Sequence, residues 1–274
     1  MESVHRPSDT PSGLELTLSK DITSILQGWD HDPDDFQVRI VAGDDGREKL
    51  QMRVDLGVIQ MEIDGRPDGL RPFDAESLLD HYEAKVDRAD AGVLPLDSDA
   101  CGALMREGVQ YYHRYLAAFH LQRFDLVARD TTRNLRLFAF VVRHAADRRD
   151  QVQFDQYRPY VTLMRSRALS AEAMNRDDHH GALAALDEGI EGIRAFLREY
   201  EQDEDPVNCR ELHKLIRLRR EIEKSRPVGP LERLEQQLEL AVSLEDYEEA
   251  ARLRDQIQRL KGSSPPAIGS ARPR

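Results

Sequence analysis

The chain has 274 residues, of which 40% are hydrophobic and 33% charged, and its formal net charge is -12 at pH 7. This length allows one large domain or two smaller ones, and the negative charge disfavours nonspecific binding to nucleic-acid phosphates. No apolar run approaches the ~18 residues of a membrane span, and the N-terminus lacks the features of a secretion signal. We therefore expect a cytoplasmic protein in which Cys101 and Cys209 are reduced thiols.

The N-terminal part of the chain predicts a tail followed by a small sheet. Residues 1–20 are polar and predict a flexible tail, and residues 21–70 predict a β segment. Apolar residues alternate along two stretches on either side of the turn signal "GDDG". The alternation then shifts by one residue at Leu56-Gly57, which indicates a β-bulge or a second tight turn. We predict a small antiparallel β-hairpin, or a three-stranded meander, with one apolar face.

Residues 71–225 predict a helical body. Stretches such as "FDLVARDTTRNLRLFAFVVRHAA" repeat apolar residues at the spacing of one helix face, and short polar segments such as "DRRDQ" connect them. Two pairs of stretches loosely resemble tetratricopeptide hairpins, and a groove in such an array would bind peptides. The pairs are ~55 residues apart instead of ~34, so an irregular helical bundle is the alternative. In the second pair, the small and apolar positions of that motif fall near Leu169, Ala173, Ala182 and Leu186.

No pattern in the chain predicts catalysis or the binding of a metal or cofactor. His113 and His120 lie two helical turns apart without a third ligand nearby, and no nucleophile motif or phosphate-binding glycine loop occurs. The basic stretch "KLIRLRREIEK" also contains Glu221 and Glu223, which is typical of a solvated helix face. We expect no enzymatic activity and no direct nucleic-acid contact. An enzyme or a nucleic-acid binder that acts through the body is the alternative.

The C-terminal part of the chain predicts a hinge and a helix-turn-helix hairpin. Arg226-Pro227 and Gly229-Pro230 interrupt the helical pattern, residues 230–262 carry two short apolar stripes, and residues 263–274 predict a disordered tail. Asp246 is placed to cap the second helix, with Glu249 in the capping-box position. Units below ~40 residues rarely fold alone without a metal or disulfide. We therefore expect this hairpin to dock on its own chain or on another.

The stretch "LEQQLELAVSLEDYEEAARLRDQI" closely resembles the UVR domain, also called the UvrB/UvrC motif. The resemblance rests on a leucine-rich first helix with an alanine, followed by aspartate, an aromatic residue, glutamate, a small pair and Arg-Asp. The family's usual aromatic residue is phenylalanine, so Tyr247 is a mild departure. The residues that we predict to contact a partner are Leu231, Leu234, Leu238, Ala241, Tyr247, Glu248, Ala250, Ala251, Leu253, Arg254, Asp255, Ile257 and Leu260.

The resemblance implies association. UVR hairpins pair with one another as antiparallel helix bundles, join the subunits of the bacterial excision-repair nuclease, and occur in regulators of Clp proteases and in partner unfoldases. The expected partner is a protein with a UVR-type hairpin or a second copy of this chain, and no membrane is implied. The sequence therefore predicts an α+β, predominantly α-helical interaction protein of bacterial type. Two roles for Arg254 stay open: a contact with a partner carboxylate, or a bridge within the hairpin.

Overall fold

The computed structural model describes residues 21–88, 95–200, 209–227 and 229–262. The predicted tails at residues 1–20 and 263–274 lie outside this part of the chain. The fold is predominantly helical, with a small antiparallel sheet near the N-terminus and a helix pair at the C-terminus, as the sequence predicts. The chain divides between Ile216 and Arg217 into two compact units.

The sheet of the first unit is a three-stranded antiparallel meander in the order β1-β2-β3, with β1 at Val38–Ala42, β2 at Glu48–Val54 and β3 at Gly57–Glu62. Val54 pairs with Gly57, so Asp55 and Leu56 form a two-residue turn. The shift in apolar alternation therefore comes from a second tight turn, and no bulge is needed.

Both faces of this sheet are covered. Leu50, Met52 and Met61 are buried in a cluster that also contains residues of the helices that follow in the chain. The opposite face contacts the segment before β1, where the Arg39 guanidinium lies 3.9 Å from the ring centre of Trp29. A short helix, α1, occupies Thr23–Leu26 in this segment. The apolar face of the sheet was predicted, and the cover on its second face was not.

Most helices of the body lie where the apolar periodicity predicts them, but one of these was missed. The segment "DRRDQ", predicted to be a connection, begins a helix of eight residues, because Asp147 caps it with a bond from the Arg149 amide and Phe154 is buried in the core. A 3-10 turn at Pro72–Asp74 precedes the first long helix. The helices of this part of the chain are α2 Leu78–Arg88, α3 Ser98–His120, α4 Phe124–His144, α5 Arg148–Asp155, α6 Arg158–Met174, α7 His179–Glu199 and α8 Arg210–Ser225.

Buried ion pairs join elements that are far apart in the chain. The Arg114 guanidinium forms two hydrogen bonds with the Asp130 carboxylate, at 2.7 and 2.9 Å, and its Nη1 donates to the carbonyl of Glu62, the last residue of β3. The Glu107 carboxylate pairs with Arg133 and accepts the amide of Leu78 at the start of α2. Removing one partner of such a pair leaves a buried charge uncompensated. These pairs therefore fix the sheet and α2 against α3 and α4.

Three helical hairpins end their first helix with the same backbone motif. Gln122, Asp177 and Glu245 have φ values of 57°, 56° and 59°, the left-handed conformation that closes a Schellman motif. In each case the backbone amide of the next residue in the chain donates a hydrogen bond to the carbonyl of an alanine five residues before it, at 2.8 to 2.9 Å. The hairpins are α3–α4, α6–α7 and the C-terminal pair. A tetratricopeptide relationship of the first two stays a prediction.

The α6–α7 pair packs closely because of small residues. An added Cβ at Gly189 on α7 would lie 2.0 Å from the Ser166 Oγ of α6, so only glycine fits there. Ala173, Ala182 and Leu186, which the sequence placed near the crossing positions, are buried, whereas Leu169 is half-buried. Small residues therefore set the short distance between these two helices.

Candidate protein interaction site

The C-terminal hairpin consists of two helices, α9 at Pro230–Ser243 and α10 at Tyr247–Gly262. The helix break predicted before Pro230 is present, since α8 ends at Ser225. The turn after α9 is tight because the amides of Glu245 and Asp246 bond back to the carbonyls of Val242 and Ala241, at 3.1 and 2.8 Å. These bonds satisfy the last carbonyls of α9 and reverse the chain within three residues.

Asp246 caps α10 as predicted, because its carboxylate accepts the amide of Glu249 at 3.1 Å. The reciprocal half of the capping box does not form. The Asp246 amide already donates to Ala241, and the Glu249 carboxylate lies 3.5 Å from the Arg252 guanidinium. The turn thus uses one residue for two purposes: its amide ends α9 and its carboxylate begins α10.

The apolar stripes of the two helices pack against each other. Ala241, Ala250 and Leu253 are buried in one cluster, with Leu234 and Leu238 packed against it. These five residues, which we predicted to contact a partner, therefore lie inside the hairpin, and Leu253 is 5% exposed. The small side chains of Ala241 and Ala250 let the helices approach. A direct partner contact through these positions stays a prediction.

The other predicted contact residues differ in their exposure. The Tyr247 side chain is 70% exposed at the start of α10. Ile257 is buried and Leu231 is half-buried. The remaining predicted residues, all of them exposed, are Glu248, Ala251, Arg254, Asp255 and Leu260.

The charged residues of the hairpin form surface ion pairs. Arg252 lies 3.4 Å from Glu248, which is one helical turn earlier, and Arg254 lies 3.4 Å from its neighbour Asp255. Neither pair joins α9 to α10, so the ion pair of Arg254 with Asp255 does not connect the two helices. Lys261 and Glu235, at 2.9 Å, do form an ion pair between them, which the sequence pattern did not indicate. Exposed pairs of this kind contribute about 0.2–1 kcal/mol.

Large apolar side chains that were not predicted to bind a partner are exposed around the turn. Leu240, Val242 and Leu244 are 59%, 53% and 70% exposed. Tyr247 is also exposed, so a segment of eight residues carries four large apolar side chains in contact with water. Single exposed apolar residues are common, whereas a cluster of them is typical of an interaction surface. We call Leu240, Val242, Leu244 and Tyr247 the turn cluster.

The basic stretch of α8 carries its own counter-charges. Arg217 lies 3.6 Å from Glu221, and Arg219 and Arg226 lie 3.7 and 3.5 Å from Glu223. This arrangement fits the solvated helix face that the sequence predicts, because carboxylates alternate with the guanidinium groups. Paired guanidinium groups are less available to a phosphate backbone.

A comparison with protein families identifies the hairpin. Residues 230–263 match the UVR family, described as the UvrB/uvrC motif. This match covers α9, the turn and α10, the same segment that the sequence resemblance placed in that family. The comparisons with curated proteins and with solved structures found no match to the chain. The UVR motif therefore accounts for the second unit's hairpin, and the match does not extend to the first unit.

The described residues contain no group of three or more histidine, cysteine, aspartate or glutamate side chains placed to hold a metal ion. No helix in the described ranges has both the length and the apolar character that a membrane crossing requires. Cys101 and Cys209 are free thiols, and burial raises the pKa of the Cys101 thiol to about 11.

Proposed function

We propose that this protein is a non-enzymatic interaction protein whose UVR hairpin docks on another UVR-type hairpin, either of a second copy or of a partner protein. The observation that carries the proposal is the division of the hairpin's apolar residues. One set is buried in the contact between α9 and α10, and a second set, the turn cluster, remains exposed. An apolar surface of this kind gains free energy when a partner covers it.

Tyr247 is the side chain best suited to anchor the contact. It is 70% exposed, follows the cap residue Asp246 directly and lies three residues after the exposed Leu244 in the chain. Tyrosine is enriched among the residues that dominate interface energies, because its ring is large and rigid and its hydroxyl can form a hydrogen bond. Ala251, one turn further along α10, is small and exposed, so it leaves room for a partner helix beside Tyr247.

Sedimentation equilibrium of the full chain tests the proposal. We expect self-association that Tyr247→Ala weakens by about 30-fold, which corresponds to the ~2 kcal/mol of an interface hot spot. Gln256→Ala is the matched control, because Gln256 is exposed on the same helix outside the turn cluster. A chain that ends after Ser225 should be a monomer. Equal association of the wild type and Tyr247→Ala would contradict the proposal.

A monomeric full chain would direct the search to a heterotypic partner. Titration of the chain with a separate protein that carries a UVR hairpin then replaces self-association as the assay, with the same two variants. We propose two partner systems, bacterial excision repair and Clp-type proteolysis or stress control. The two probes are therefore the hairpin of an excision-repair subunit and the hairpin of a Clp regulator. Binding to one of them that Tyr247→Ala weakens would identify the partner system.

A further inference from the structure

A cavity of about 450 Å³ opens in the first unit, between α3, α4 and the start of α6. This volume falls within the ~300–1,000 Å³ of small-molecule sites in proteins. Its walls are mainly the rings of Tyr112, Tyr115, Phe138 and Tyr160, and its rim includes Val109, which is 42% exposed. Cavities between the helices of a bundle, lined by aromatic side chains and a few polar groups, are common ligand sites.

The tyrosine rings stand at angles to one another. Tyr112 and Tyr115 lie 5.5 Å apart between ring centres with an interplanar angle of 88°, and Tyr112 and Tyr160 lie 6.4 Å apart at 58°. Rings at these distances and angles contact one another, so they form a continuous aromatic wall on which a planar aromatic molecule can stack. The cavity therefore suits a flat ligand better than a branched one.

The only polar groups that the cavity offers are neutral. No residue that lines it is charged, and the carboxamide of Asn134 is already engaged with the Gly108 carbonyl, at 3.0 Å, and with Arg133. Among the hydrogen bonds of the described residues, none involves the hydroxyls of Tyr112, Tyr115 or Tyr160. Burial raises the pKa of Tyr115 and Tyr160, so both phenols keep their protons at neutral pH and remain donors.

From the cavity's size, its ring geometry and its neutral phenol donors, we propose that the first unit binds an uncharged, planar aromatic small molecule that carries a hydrogen-bond acceptor. A charged ligand would lose its hydration without gaining a counter-charge, because the lining contains none. An acceptor oxygen on the ligand would receive a bond from one of the tyrosine hydroxyls. Neither the UVR hairpin nor its proposed docking contributes a residue to this site.

The probe for this proposal is 6-propionyl-2-dimethylaminonaphthalene, an uncharged planar fluorophore with one ketone acceptor. Its emission moves to shorter wavelength in apolar surroundings, so a titration of the full chain measures binding directly. We expect saturable binding that Val109→Trp weakens at least tenfold, because the larger side chain fills the half-exposed rim. Arg106→Trp is the matched control: Arg106 is exposed on the same helix and does not line the cavity. Tyr160→Phe should weaken binding about 2- to 10-fold by removing one hydroxyl.

The outcomes separate the site from other apolar surfaces. Binding that Val109→Trp leaves unchanged would locate the probe elsewhere, for example on the turn cluster, and would overturn the proposal. Absence of any spectral shift with the wild type would also overturn it. If a protein complex of the chain is lost in Val109→Trp while the fluorophore never binds, the cavity receives an aromatic side chain of a partner and the small-molecule assignment is wrong. Preference for the anionic probe 8-anilinonaphthalene-1-sulfonate at the Val109-dependent site would refute the requirement for an uncharged ligand.

Discussion

Gly189→Ala is a substitution in the first unit for which the structure predicts clearly whether stability rises or falls. Helix propensity alone favours alanine over glycine by ~1 kcal/mol in a helix interior. The added Cβ, however, would lie 2.0 Å from Ser166 Oγ, 2.8 Å from Ser166 Cβ and 3.1 Å from Leu215 Cδ1. Ser166 is fully buried, and rotation of its hydroxyl would not move its Cβ, so the 2.8 Å contact would persist. Overpacking of a filled core costs about 1–3 kcal/mol, and this contact lies at the upper end, so we expect a net loss of about 1–2 kcal/mol.

Urea unfolding measures this loss. Trp29 is the single tryptophan of the chain and belongs to the first unit, so its fluorescence follows the unfolding of that unit. Gly192→Ala is the control on the same helix, because a Cβ there would lie 3.6 Å from Thr162 Cγ2, an ordinary contact. It should stabilise the unit by about 0.5–1 kcal/mol. Ser166→Gly combined with Gly189→Ala should restore most of the loss. If Gly189→Ala is as stable as the wild type, the close approach of α6 and α7 is not as described.

Further expectations concern the turn, a buried ion pair and acid stability. Glu245→Gly should stabilise the hairpin by about 0.5–1 kcal/mol, because Glu245 has a φ of 59° that glycine adopts without strain; slower amide exchange in α9 and α10 would show it, and faster exchange would contradict it. Asp130→Asn should cost about 3 kcal/mol, since it leaves Arg114 buried without its counter-charge; a thermal melt that changes by only a degree or two would argue against this role. Burial lowers the pKa of His113, so the folded state binds fewer protons than the unfolded state and stability should fall as the pH drops below about 6.5. His113→Gln should make that fall between pH 7.5 and pH 5.5 smaller, and an unchanged slope would exclude His113 as a cause.

The sequence predicted the elements whose apolar period is long and regular. The signal "GDDG" predicted the first turn of the meander, and the shift at Leu56-Gly57 predicted a bulge or a second turn, of which the structure has the turn. The periodic stretches predicted most of the helices. Helix α5 was missed because its eight residues contain little apolar periodicity, and its stability comes from the Asp147 cap and from the burial of Phe154. The Arg114–Asp130 pair could not be read from the chain either. An ion pair between two helices depends on how they pack, which local sequence does not record.

The candidate site shows the limit of periodicity in a different way. A stripe of apolar residues indicates which side chains leave water, and it does not indicate which surface covers them. In the hairpin, the stripes of α9 and α10 cover each other through Ala241, Ala250 and Leu253. Several apolar residues that stay exposed, such as Leu240 and Leu244, are out of phase with the stripes, and a search for regular spacing passes over them. It follows that conservative changes inside the stripe should alter the stability of the hairpin first and association only as a consequence, whereas changes in the turn cluster should alter association alone.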